Sequence, residues 1–300
     1  MTKYIRFLLV VVVFSTLTFG QDKKDAKNLP KLSADEIIQK HLASIGTPEA
    51  IAAAKSRVFV GQSRLTSQLG YTGHLDGMVQ FASAGNSVLL ASIFNSNDYP
   101  YEKAAFDGKD VSVGRPNGNT TELGSFLKSY KIILKAGFFG GALSTAWPLT
   151  SKNNGIKLES AGTTEIGGHP YYKLKAVGGG MNGLSITLLF DATTFRHVAT
   201  EYSYVMSTGV NRAGSTTTTD PLTGASQVTG MANAKQTYIT LTERFADFAK
   251  SGDVIIPLTY VINYTYQDSD PNDTRSLNME MRFKDVYLNQ DLGTDVFKVS

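Results

Sequence analysis

The chain has 300 residues, with 29 Lys and Arg against 26 Asp and Glu, and it contains no cysteine. That near balance excludes the strong basic excess usual in nucleic-acid-binding proteins. The absence of cysteine excludes disulfides and thiolate metal sites, so the fold rests on its core alone, and the chain is long enough to bury one.

Residues 1–20 have the pattern of a cleavable secretory signal. Lys3 and Arg6 form a short basic region, "FLLVVVVF" (residues 7–14) is apolar, and Thr18 and Gly20 are small residues at cleavage spacing. Cleavage is expected after Gly20. The alternative is a membrane anchor, but the unbroken apolar run is shorter than the roughly 20 residues of a spanning helix. We therefore expect a periplasmic or secreted protein that is not an integral membrane protein. A cysteine-free exported chain fits a bacterial periplasm at least as well as a eukaryotic exterior. Residues 21–32 are half charged, lack apolar periodicity, and read as a disordered leader.

A single domain is expected over residues 33–300. Ser33 with Glu36 makes a capping box, and Ile37, Ile38, His41, Leu42 and Ile45 follow at helical spacing up to Gly46. Thr47 and Pro48 open a second short helix. After Ser56 the pattern changes to alternating strands separated by turns such as Asp107-Gly108, Gly167-Gly168 and Ser251-Gly252-Asp253. Strands joined by short turns pair antiparallel, which predicts one meandering sheet of about ten strands. In "LNMEMRF" Leu277, Met279, Met281 and Phe283 share a face; in "LTYVINYTY" Leu258, Tyr260, Ile262, Tyr264 and Tyr266 do. One face is thus apolar and aromatic and the other polar. Two short helices cannot cover that face, so the sheet must curl, or another element or a ligand must close it.

Two segments interrupt the strands. Residues 120–150 begin with Leu123, Phe126, Leu127, Tyr130 and Leu134 at helical spacing, capped by Thr120 or Thr121. They continue into "ILKAGFFGGALSTAWPL" (residues 133–149), which carries Phe138, Phe139 and the only tryptophan, Trp147. This stretch reads either as a lid across the mouth of a curved sheet or as a plug that completes the core. The second interruption, residues 207–234, is rich in Ser, Thr and Gly and reads as a long mobile loop between paired strands.

Catalytic motifs are not evident. The nucleophile elbow, phosphate loop and dinucleotide fingerprint are missing. His41, His74, His169 and His197 lack metal-ligand spacing and read as surface or strand-end residues. No cofactor and no metal is expected. A hydrolase would need distant carboxylates brought together by the fold.

Several stretches resemble the periplasmic outer-membrane lipoprotein-sorting proteins and the wider superfamily of lipoprotein carriers and receptors. They are "ADEIIQKHLASIGTPEAIAAAKS", "AFDGKDVSV", "TEIGGHPYYKLKAV", "LLFDATTFRHVATEYSY", "ERFADFAKSGDVIIPLTYVI" and the closing "VYLNQDLGTDVFKV". The resemblance runs from about Ser33 to the C-terminus. It implies a mainly β (α+β) fold, with a large curved antiparallel sheet forming a half-barrel over N-terminal helices. It also implies an apolar cavity for acyl chains and no covalent catalysis. The leading expectation is a non-catalytic periplasmic protein holding a lipid or the acyl chain of a lipoprotein. The expected lining is Phe138, Phe139, Leu143 and Trp147 from the mid-chain stretch. Tyr260, Ile262, Met279, Met281 and Phe283 would join them from the last strands. The alternative is a structural or interaction scaffold of the cell envelope, with a self-filled core and a protein partner.

Overall fold

The computed structural model describes residues 29–68, 72–147, 149, 155–208, 217–219, 226–228, 235–268 and 274–299. The expected signal and most of the leader lie outside these residues, as does most of the 207–234 loop.

Two helices open the described chain. Helix α1 (Ala34–Ile45) has the predicted capping box: Ser33 Oγ accepts from Glu36 N, and Glu36 Oε2 accepts from Ser33 N at 2.8 Å. Ile37, His41 and Ile45 form its buried stripe. Helix α2 (Pro48–Ala53) is capped by Thr47 and buries none of its own residues. Ahead of α1, Leu29 and Leu32 pack against the core. The Ser160 hydroxyl donates to Leu32 O at 2.9 Å.

From Ser56 the chain runs outward through β1 (Ser56–Gln68), β2 (Thr72–Ala84), β3 (Ser87–Phe94), β4 (Tyr101–Phe106) and β5 (Val111–Val113). Helices α3 (Glu122–Ser129) and α4 (Ile132–Lys135) follow. The chain then returns through β6 (Lys157–Ile166), β7 (His169–Val177), β8 (Ser185–Asp191) and β9 (His197–Thr208). A small separate hairpin, β10 (Thr217–Thr219) with β11 (Ser226–Val228), precedes β12 (Lys235–Ser251), β13 (Val254–Gln267) and β14 (Thr274–Leu288).

Twelve of these strands make one sheet in the order β5-β4-β3-β2-β1-β14-β13-β12-β9-β8-β7-β6. Every pairing in it is antiparallel, and the sheet stays open, with β5 and β6 as its edges. This is the expected half-barrel, with twelve strands where the alternation suggested about ten. Its edge strand β5 is only three residues long, and the opposite edge strand β6 shifts register at Ser160/Thr163.

The order also explains the mid-chain segment. Chain growth starts at the middle of the sheet, reaches one edge at β5, and resumes at the opposite edge at β6. Residues between must cross the sheet, and an apolar crossing segment belongs on its apolar face. The last strand then closes beside the first, with Phe59 opposite Val286 and Leu65 opposite Met279.

The two faces differ as expected. Leu277, Met279, Met281 and Phe283 turn inward with Tyr260, Ile262 and Tyr264 into one large core. On the outer face a smaller cluster of Val58, Ala82, Leu89 and Ala105 is covered by Phe297 from a C-terminal turn.

Candidate functional site

The stretch over residues 133–149 fills the concave face. Phe138, Phe139, Leu143 and Trp147 are each at most 1% exposed, and they share the main core with the inward residues of β13 and β14. Phe81, Phe139 and Phe245 all contact the Tyr260 ring, Phe245 stacking on it at 5.2 Å. The structure therefore brings the nine expected lining residues together. It closes them on one another, and none of the nine lines the open groove described below.

Two glycines permit this close approach. Gly137 and Gly140 have φ of 75° and 77°, and a Cβ on Gly140 would lie 2.3 Å from Cζ of Phe81. Gly140→Ala is expected to cost about 1–3 kcal/mol through crowding and left-handed strain. Chemical denaturation reads the loss; an unchanged midpoint would show that the crossing segment is not clamped to β2 at this point.

Polar side chains also hold the segment. On β12, the fully buried Glu243 carboxylate accepts from Gly140 N at 2.7 Å and from the hydroxyls of Tyr202 and Tyr260. On β4, buried Glu102 accepts from the Tyr99 hydroxyl and from Thr121 Oγ1 at 2.8 Å. Thr121 is itself the cap of α3. Burial pushes both carboxyls up to about 7, their hydrogen bonds opposing the rise. From β2, the Ser83 hydroxyl meets those of Ser144 at 3.2 Å and Thr145 at 2.8 Å.

Of the histidines expected at the surface or at strand ends, His41 stands instead on the buried stripe of α1, and His197, at a strand end, is buried as well. His41 on α1 and His197 at the start of β9 are fully buried and form a cluster of three neighbouring rings with Trp147. Trp147 Nε1 donates to His41 Nε2 at 3.3 Å, and His41 Nδ1 lies 3.1 Å from Phe195 O. Burial pulls His41 down to about 4 and His197 also well below the usual imidazole range. Both rings are neutral near pH 7 and act as shaped core residues. Among the described residues, no group of three His, Asp or Glu side chains could hold a metal ion.

An open space remains beside α1 and α2. It is a groove of about 1010 Å³, at the upper end of the roughly 300–1,000 Å³ of small-molecule sites. Leu42 and Ala43 of α1, Ile51 and Ala52 of α2, Ala54 and Leu149 supply its apolar wall. Thr145 and Leu149, at the end of the crossing segment, bring that segment to the groove. The two ionisable side chains among its described lining are Lys55 and Arg57. Lys55 is exposed, whereas Arg57 is buried and donates from Nη1 to Ala142 O at 2.5 Å.

Among solved structures the chain is similar to a LolA superfamily protein of Nitrosomonas europaea, at 13% identity and a TM-score of 0.44, covering 90% of this chain and 99% of that one. It is also similar to an outer-membrane lipoprotein-sorting protein domain of Vibrio parahaemolyticus, at 12% identity and a TM-score of 0.41, covering 91% and 97%. A third is a DUF1329 family protein of Desulfovibrio piger, at 8% identity and a TM-score of 0.38, covering 88% and 96%. No protein-family model and no curated protein matches the chain. Among the described residues, no helix is long and apolar enough to cross a membrane.

Sequence reasoning did not single out Arg57, Glu102 or Glu243, although a signal existed. Each lies in phase with inward apolar residues at period two: Arg57 with Phe59, Glu102 with Ala104 and Phe106, and Glu243 with Leu241 and Phe245. A charged residue in phase with the core face is the mark of a polar group committed to burial. Glu102 and Glu243 stand on strands six places apart in the sheet, and neither lines the groove. They do not form the paired carboxylates that a hydrolase of this kind would need.

Proposed function

We propose that the chain is a non-catalytic lipid-binding protein of the cell envelope, periplasmic after loss of residues 1–20, and that it holds an acyl chain in the groove beside α1 and α2. The observation that carries this reading is the groove itself. It is large and apolar, and it runs under a helix that buries no residue of its own. Each methylene moved from water into such a wall contributes about 0.8 kcal/mol before the costs of ordering. The motif resemblance noted from the sequence points the same way.

The reading moves the ligand away from the centre of the concavity. The nine residues expected to line it form the packed floor behind the groove, with Leu149 linking floor and wall. Ile51→Glu is therefore expected to weaken lipid binding by about tenfold or more, with little loss of stability, because Ile51 is only partly buried. Displacement of an apolar dye measures the binding, and chemical denaturation measures the stability. Absence of a saturable site in the unaltered chain would overturn the proposal.

One observation favours a scaffold instead. The interior is self-filled, and two cross-strand apolar pairs lie exposed: Met78 beside Ile93, and Val205 beside Tyr238. Under that reading the exposed pairs meet an envelope protein and the groove stays unused. The dye experiment separates the two.

A further inference from the structure

Arg57 is an unusual residue for the wall of an apolar groove. It is 4% exposed on the inward face of β1, in phase with Phe59. Its single hydrogen bond runs from Nη1 to Ala142 O, and its buried Nε has no partner. No acidic side chain is among the described residues lining the groove. Burial lowers the guanidinium to about 10, so it stays charged at neutral pH. An isolated buried cation is costly, because water has been removed and nothing has replaced it. The fold thus places a positive charge beside an apolar wall and does not neutralise it. A guanidinium offers five donors in a planar fork, which suits a carboxylate or a phosphate. Lys55, exposed on the same groove, adds attraction for a negative ligand.

We propose that the ligand of the groove is an anionic amphiphile, whose carboxylate or phosphate head pairs with Arg57 and whose alkyl chain lies along Leu42, Ile51 and Leu149. This inference rests on the reading of the groove as a lipid site and adds the chemistry of the head. An uncharged lipid of the same length would leave the guanidinium unpaired.

The test uses three probes with the same sixteen-carbon tail: hexadecanoate, hexadecyl phosphate and hexadecanol. Their binding to the purified chain is compared at about pH 8 by dye displacement and native mass spectrometry. At least one of the two acids is expected to bind about tenfold more tightly than the alcohol, a difference of about 1.4 kcal/mol. The tighter acid tells a carboxylate ligand from a phosphate one. Arg57→Gln is expected to bring the acids to the level of the alcohol, and Arg57→Lys to keep part of the preference. Equal binding of all three probes, or tighter binding of the alcohol, would overturn the inference and leave the groove a lipid site. No saturable binding of any probe would overturn the lipid site itself. The comparison on the unaltered chain decides the matter even if a variant does not fold.

Discussion

Replacing Phe138 with alanine is expected to destabilise the chain by about 3–5 kcal/mol. The side chain is fully buried within the main core cluster, and its backbone is also fixed. Phe138 N donates to Ile133 O at 3.0 Å, and Phe138 O accepts from Gly141 N at 3.0 Å. The crossing segment is held at both ends as well, by Glu102 through Thr121 and by Ser83 through Ser144 and Thr145. A cavity left at Phe138 therefore has little room to collapse. The magnitude separates the two readings of residues 133–149. A plug loses the full burial of the ring, whereas a lid over vacant space loses little. Urea denaturation provides the measurement. A loss below about 1 kcal/mol would favour the lid and would require the ring to be freed from the core.

The second large effect concerns pH. Glu243 and Glu102 have carboxyls raised to about 7 in the folded chain, against 4.5 for an unperturbed glutamate. Between these values the folded state keeps protons that the unfolded state has released, so their contribution falls as pH rises from about 4.5 to 7. His41 is lowered to about 4 from 6.5, and His197 moves in the same direction. For these two the unfolded state holds the extra protons, and their contribution falls as pH drops from about 6.5. Between about 4.5 and 6.5 the two carboxyls thus act against the imidazoles, their contributions to stability changing with pH in opposite directions. Glu243→Gln removes one carboxyl from the balance. Stability of the variant should rise relative to the unaltered chain by about 1.4 kcal/mol per pH unit across that window. Extended to pH 7, the total change is roughly 3 kcal/mol. Paired denaturation curves at several pH values read it directly. A difference that stays constant with pH would show that Glu243 is not protonated in the folded chain. Glu243→Leu should carry a further constant cost, since it strands the Tyr202 and Tyr260 hydroxyls and Gly140 N–H.

Much of the architecture is legible in local patterns. Ser33 with Glu36, Thr47 with Pro48, and Thr121 each start a helix where their side chains predict one. The alternation assigns Leu277, Met279, Met281 and Phe283 of β14 and Tyr260, Ile262 and Tyr264 of β13 to the inward face correctly, because a pleated strand turns successive side chains to opposite faces, whereas Leu258, expected on that face, stays half-buried beside the buried Pro257. The apolar character of residues 133–149 foretold that they would be buried. Arg57, Glu102 and Glu243 lie in phase with inward residues of their own strands, a signal left unread, and that phase could not have named their partners. Apart from Tyr99, three residues before Glu102, those partners come from segments 17 to 103 residues away.

By itself, then, the sequence determined an antiparallel sheet with one apolar face, two capped helices at its start and an apolar segment crossing it. These follow from local periodicity and capping, which depend on neighbours a few residues apart. Only the tertiary structure decided that the sheet grows outward from β1 and closes beside it with β14. Only it decided that the crossing segment fills the concavity and leaves the open space beside α2. Pairing and filling depend on volumes and hydrogen bonds between distant segments: Ile51, Arg57 and Leu149 meet at one groove because the chain has folded, and no local pattern encodes that meeting.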